Sequence, residues 1–185
     1  MTANHYAEKV DAIYKWWKAL QPSDGGKFRG DRAALAKLKR ASSIMEAASE
    51  PATAELFNKL GFERHYASTD LPRAALIAAV LAHIRDDNRK DTLARAIGTP
   101  RGGEGTTALI TPLRLKRLIA AREADDLLIA FRRAIAILGH TANVKDVAKQ
   151  LLLWTADDRT ADSARTLFTF DYHNAGGFAP ELKSA

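Results

Sequence analysis

The stretch Lys27-Phe-Arg-Gly-Asp-Arg-Ala-Ala-Leu-Ala-Lys-Leu-Lys-Arg40 carries six basic residues (27, 29, 32, 37, 39 and 40) against one acid, Asp31, a local charge of +5. On a helical wheel, at about 100° per residue, Ala34, Leu35, Leu38 and Ala41 fall on one side. Arg29, Arg32, Lys37, Lys39 and Arg40 fall on the other. Such a helix packs by its alanine and leucine face and presents a cationic ridge. A ridge of this kind can follow a phosphate backbone, because charge neutralisation and counterion release require no base reading. Charge runs are also common on solvated helix faces, so the segment weighs more if the rest of the chain shares its bias.

The rest does share it. The periodicity that marks this helix recurs on both sides. Tyr6, Val10, Ile13, Tyr14 and Trp17 form the stripe of a first helix that Gln21-Pro-Ser-Asp-Gly-Gly26 stops. Ser43 to Ala48 reads as a helical turn, and Glu50-Pro51 as a new helix start that Gly61 ends. Thr69 or Asp70 is the expected cap of a third major helix, with Leu71, Ala74, Ile77, Leu81 and Ile84 as its stripe. A short helix, Thr92 to Ile97, runs into Gly98-Thr-Pro-Arg-Gly-Gly-Glu-Gly-Thr-Thr107, the clearest linker in the chain. Thr111-Pro112 opens a further helix. Asp125 and Asp126 open one carrying Leu127, Leu128, Phe131, Ile135 and Leu138. Asn143 caps the next, and a last runs from about Asp158 to Tyr172. No strand alternation or internal repeat is visible. The expected fold is all-α, with two packed helical bundles and about eight helices. The expected units are 1–97 and 111–175, joined by a linker over 98–110 and followed by a tail over 176–185.

Composition limits the function. The 185 residues carry a net charge of +6, with no cysteine, and the pI is near 9.6. A basic balance suits a polyanion. Disulfides, thiolate catalysis and cysteine zinc sites are excluded. No stretch approaches the roughly 20 apolar residues of a membrane span, and the N-terminus has no apolar signal region. A soluble cytoplasmic protein with no membrane partner is the expectation.

No residue set makes a strong catalytic case, and none is assigned. His5, His65, His83, His140 and His173 are scattered. His83 and Asp87, four apart, could share a helix face as metal ligands do, but no second ligand pair accompanies them, and a helix-end histidine beside a carboxylate is the better reading. The glycine-rich loop lacks the lysine-hydroxyl ending of a P-loop. Asp86-Asp87, Asp125-Asp126 and Asp157-Asp158 are neighbours that point about 100° apart on a helix, so they suit capping better than acid/base work. No metal or cofactor is expected. Trp17 and Trp154 lie on apolar stripes. Trp16 lies off its stripe, placed either to stack on a base or to cover a neighbouring helix.

A second basic region strengthens the first. Arg114, Lys116, Arg117, Arg122, Arg132 and Arg133 face Glu123, Asp125 and Asp126, a local charge of +3. Two separated cationic helical regions fit an extended backbone track better than a compact base-reading head. The candidate contacts are Arg29, Arg32, Lys37, Lys39, Arg40, Arg114, Arg117, Arg122, Arg132 and Arg133.

Four patches, taken in order and spacing, resemble the small subunit of the type I-E CRISPR Cascade surveillance complex, the CasB family. They are the opening helix ending Trp16-Trp17-Lys-Ala-Leu20, the segment Gly30 to Arg40, the segment Leu115 to Ile135, and Asn143 to Trp154 with the polar helix ending Phe170-Asp-Tyr172. The resemblance implies a two-bundle helical protein without enzymatic activity. It implies a pair of copies along the belly of the complex, against the backbone and large subunits and the guide RNA. It further implies that basic surfaces hold the displaced, single-stranded non-target DNA (the R-loop) in antiviral defence. Arg32, Lys39, Arg40, Arg117, Arg122 and Arg132 are similar in type and place to the family's nucleic-acid contacts. Two other readings of the residues stay open: a helical DNA-binding regulator, and a structural helical adaptor. The polar face of the basic helix has no Asn or Gln to read adenine, which weighs against the first.

Overall fold

The computed structural model describes residues 3–22, 30–100 and 107–175. Ten α-helices lie among them: α1 (Ala3–Leu20), α2 (Arg32–Arg40), α3 (Ile44–Ala48), α4 (Pro51–Lys59), α5 (Ala67–Leu81), α6 (Leu93–Gly98), α7 (Pro112–Ala120), α8 (Ala124–Ile137), α9 (Val144–Trp154) and α10 (Asp158–His173). A short 3-10 turn, Arg64–Tyr66, precedes α5. Two residue pairs, β1 (Asp86–Asp87) and β2 (Thr141–Ala142), make a parallel ladder. The fold is all-α, as expected. The added helices are short ones, and the ladder is too brief to register as alternation.

The centre is α5. Every residue from Ala74 to Leu81 is fully buried, as befits a helix that is apolar all round. Its alanines let α3, α4, α8 and α9 pack close around it. It starts a turn earlier than Thr69, because the 3-10 turn feeds it, so Pro72 lies inside the helix. The carbonyl that Pro72 leaves without a donor belongs to Ser68, which is exposed to water. α1 crosses this core with both Trp16 and Trp17 buried. The Trp16 indole donates to Ala52 O (3.1 Å) on α4 and that of Trp17 to Leu81 O (3.2 Å) on α5. Trp16 is therefore a core residue covering a neighbouring helix, and no base can stack on it. Trp154 stands edge-on between Phe131 and Phe168, each 5.2 Å away.

Helix ends are tied across the chain by charge. Asp125, Asp146 and Asp87 accept from the backbone N–H groups of Ile44, Leu93 and Val144, at or beside the N-termini of α3, α6 and α9. Arg73, Arg132 and Arg165 donate to carbonyls at the C-terminal ends of α9, α2 and α7. Both signs match the helix dipole and fill orphan backbone groups. The paired carboxylates of the sequence thus cap helices, two of them on distant elements.

Gly98 belongs to α6 and not to a linker. A Cβ there would lie 2.3 Å from Tyr172 O, so only glycine lets α6 approach α10 this closely. The chain returns through a Pro100–Ala108 bridge, with Leu109 N donating to Thr99 O and Ile110 N to Ile97 O. Residues 101–106 of the expected linker lie outside the described residues.

Candidate nucleic-acid interface

α2 is set against the end of α1 by a close turn. Gly30 has φ +62°, and a Cβ there would meet Gln21 O at 2.3 Å. Asp31 N donates to Leu20 O, and the Asp31 carboxylate accepts from Ala34 N at 2.8 Å, capping α2. Leu35 and Leu38 then turn inward, which forces the basic side outward.

On that side Arg32 and Lys39 wall an open groove of about 810 Å³ whose floor includes Trp17, Leu35 and Ala36. Lys18 of α1 and Arg85, from the chain after α5, complete the cationic wall, and Asp86 and Asp87 share the lining. Among the described residues none of these four cations has a carboxylate within 4 Å. Partial burial, and then the charge of Arg85, pulls the Lys39 ammonium below its ordinary pKa. An arriving anion offsets both, because an opposite charge favours the ammonium form. Gln21, also lining the groove, has a side-chain amide nitrogen buried without an acceptor among the described residues.

The other candidates are dispersed. Lys37 pairs with Glu50 at 3.5 Å, and with Arg40 it edges a shallow hollow that also holds Glu46. Arg122 pairs with Asp162 at 2.9 Å. Arg132 is half-buried and donates to Ala41 O (2.7 Å) and Leu38 O (3.1 Å), so its guanidinium holds the end of α2. Arg114, Arg117 and Arg133 rim a separate groove between α7 and α8. Arg29 lies outside the described residues.

Lys18 and Arg85 were not foreseen. Each sits near the end of a separate element, and only the fold brings them beside α2. Two other cations near the groove are engaged: Arg89 with Asp87 (2.8 Å) and Lys145 with Asp11 (2.6 Å), and both lie over the Tyr14 ring. His83 and Asp87 share no helix face, because α5 ends at Leu81 and Asp87 caps α9. His83 stacks instead on His140, with ring centroids 6.4 Å apart. Burial, then Arg132, His140 and Lys39, pushes its pKa down to about 4. Among the described residues no three His, Cys, Asp or Glu side chains gather as metal ligands, and no helix is long and apolar enough to cross a membrane.

Fold and surface together define a helical architecture that carries, among the described residues, an open groove with four cations not paired to a carboxylate, suited to a polyanion. The chain belongs to the CRISPR-associated protein Cse2 family, the CasB small subunits of type I-E Cascade, whose family model matches residues 34–173. No curated protein matches it. Its fold is similar to a chain in the crystal structure of E. coli Cascade bound to a PAM-containing dsDNA target, at 21% identity and a TM-score of 0.58 over 88% of this chain and 95% of that one.

Proposed function

We propose that this chain, as the small subunit of a type I-E surveillance complex, holds the displaced non-target strand by its phosphates and performs no catalysis. The observation that carries the reading is the groove at α2, where Lys18, Arg32, Lys39 and Arg85 converge and, among the described residues, none is within 4 Å of a carboxylate, so the four cations outnumber the two acids, Asp86 and Asp87, that share the lining. Exchanging a DNA duplex for a guide–target hybrid is nearly balanced, so modest backbone contacts tip it. A strand seated on these cations returns to its complement more slowly. Tyr14 is already covered by Arg89 and Lys145, which leaves phosphate binding and not base stacking as the main term. Arg122 and Arg132 act within the protein, as an ion-pair partner and as the cap that holds α2 in position. The partners are the backbone and large subunits with their guide RNA, a second copy of this chain, and single-stranded DNA, in the cytoplasm.

The test is binding of two unrelated single-stranded oligonucleotides, followed by fluorescence anisotropy across a salt series. The double variant Arg32→Glu with Lys39→Glu is expected to bind both more weakly, by the same factor. Its log–log salt slope should shrink by about 1.4, or 0.7 for each lost phosphate contact on a single strand. Unchanged affinity and slope would remove the groove from the interface. Loss on one sequence only would favour the DNA-reading regulator.

A further inference from the structure

We propose that the groove between α7 and α8 docks an acidic amphipathic helix from a partner protein. The groove measures about 780 Å³. Leu118, Ala130 and Ile137 line it, and Ile129, 43% exposed, stands in it. Among the described residues Arg114, Arg117 and Arg133 line it too, with Asp126 as the lone acid, and none of the three arginines has a carboxylate within 4 Å.

The lining decides the class of partner. Among the described residues that line it, no aromatic ring is present for a base to stack on, and a phosphate track would leave the aliphatic floor wet. A trough between two helices accepts the ridge of a third, with apolar anchors at i, i+3, i+4 and i+7. The three arginines then select Glu and Asp beside those anchors. A second copy of this chain suits the site poorly, because the chain itself carries a net charge of +6 and would meet a cationic rim. The α7–α8 arginines thus serve protein docking, while the α2 groove serves the strand. The inference rests on the reading of the chain as one subunit of a multi-protein complex.

The experiment reconstitutes that complex from its other subunits, guide RNA and this chain at limiting concentration, with occupancy read by native mass spectrometry. The variants are Ile129→Asp, Ile129→Lys and Ile129→Leu, each checked for folding by circular dichroism. Should Ile129→Asp fail to fold, Arg117→Glu with Arg133→Glu replaces it. Losing an anchor of this size and adding an acid should raise the half-occupancy concentration about tenfold or more. Ile129→Lys should lose less, Ile129→Leu nothing, and the isolated protein's affinity for a single-stranded oligonucleotide should stay constant in all three. Equal occupancy for Ile129→Asp and wild type overturns the proposal. So does an oligonucleotide affinity that falls with Asp and rises with Lys, which makes the groove a nucleic-acid surface. A loss confined to self-association in analytical ultracentrifugation also overturns it, because the occupant is then a second copy. Failure of the wild-type chain to enter the complex overturns the underlying reading and this inference with it.

Discussion

Replacing Arg132 with Met tests a basic residue whose place in the second cationic region suggests contact with nucleic acid while its geometry says otherwise. Met keeps an apolar stem and removes the guanidinium. Two hydrogen bonds are lost, to Ala41 O at 2.7 Å and Leu38 O at 3.1 Å. Each comes from a charged donor, worth about 1.5–3 kcal/mol, and the positive charge at a helix C-terminus adds about 0.3–1 kcal/mol. Against this stands the Nε atom, buried without a partner, whose removal returns about 1–2 kcal/mol. The net cost is about 1–6 kcal/mol, and about 3–4 kcal/mol at the middle of these ranges. α2 has nine residues, too few to stand without tertiary support, so its basic groove should loosen too. Urea unfolding followed by far-UV circular dichroism reads the loss, and the melting point should fall by about 5–12 °C. Arg132→Lys, which keeps the charge but not the planar two-pronged geometry, should lose about half as much. If Arg132→Met lies within about 0.5 kcal/mol of wild type, the size of a neutral surface change, and oligonucleotide binding still drops, Arg132 is a phosphate contact and the cap argument is wrong.

Three further outcomes follow from the packing. Trp16→Phe removes the indole's bond to Ala52 O, a carbonyl that keeps its place in the α4 ladder, and leaves a void where the larger ring packed, and should cost about 1.5–3 kcal/mol in chemical denaturation; a neutral result would put Trp16 at the surface. Gly98→Ala drives a Cβ to 2.3 Å from Tyr172 O, whereas at Gly61, with φ +63°, nothing lies within 4 Å. The first should cost about 2–4 kcal/mol by overpacking and the second about 1 kcal/mol by backbone conformation alone; equal melting points would refute the close α6–α10 contact. His83 is held neutral with its pKa near 4, so below the ordinary histidine value the unfolded chain binds the extra proton. Stability should then decline as pH falls from about 6.5 to about 4, and His83→Phe should flatten that decline; an unaltered pH profile in the variant would show that other groups carry it.

The helices were legible because their stripes are regular. Leu127, Leu128, Phe131 and Ile135 read as one face and are all fully buried. The caps at Thr111, Asn143 and Gly61 follow from local chemistry and appear where expected. What stayed hidden needs knowledge of a partner element. Trp16 falls off the α1 stripe because α1 buries a second side against α4. Arg132 reads as a nucleic-acid contact and Arg165 carries no sequence signal, yet each reaches a distant helix end, Arg165 at 3% exposure. Gly98 looks like the start of a loop until Tyr172 is placed against it. In the groove, Arg32 and Lys39 share a face seven residues apart, which spacing alone reveals. Lys18 and Arg85 join them only through the fold.

The central claim is that the α2 groove keeps the displaced strand apart, and the re-closure rate of the opened target DNA tests it most directly. A complex reconstituted with Arg32→Glu and Lys39→Glu should assemble with the wild-type subunit occupancy and re-close about tenfold faster or more, since two phosphate contacts are lost. The difference should narrow as salt rises. Re-closure at the wild-type rate, with the variant fully incorporated, would contradict the account.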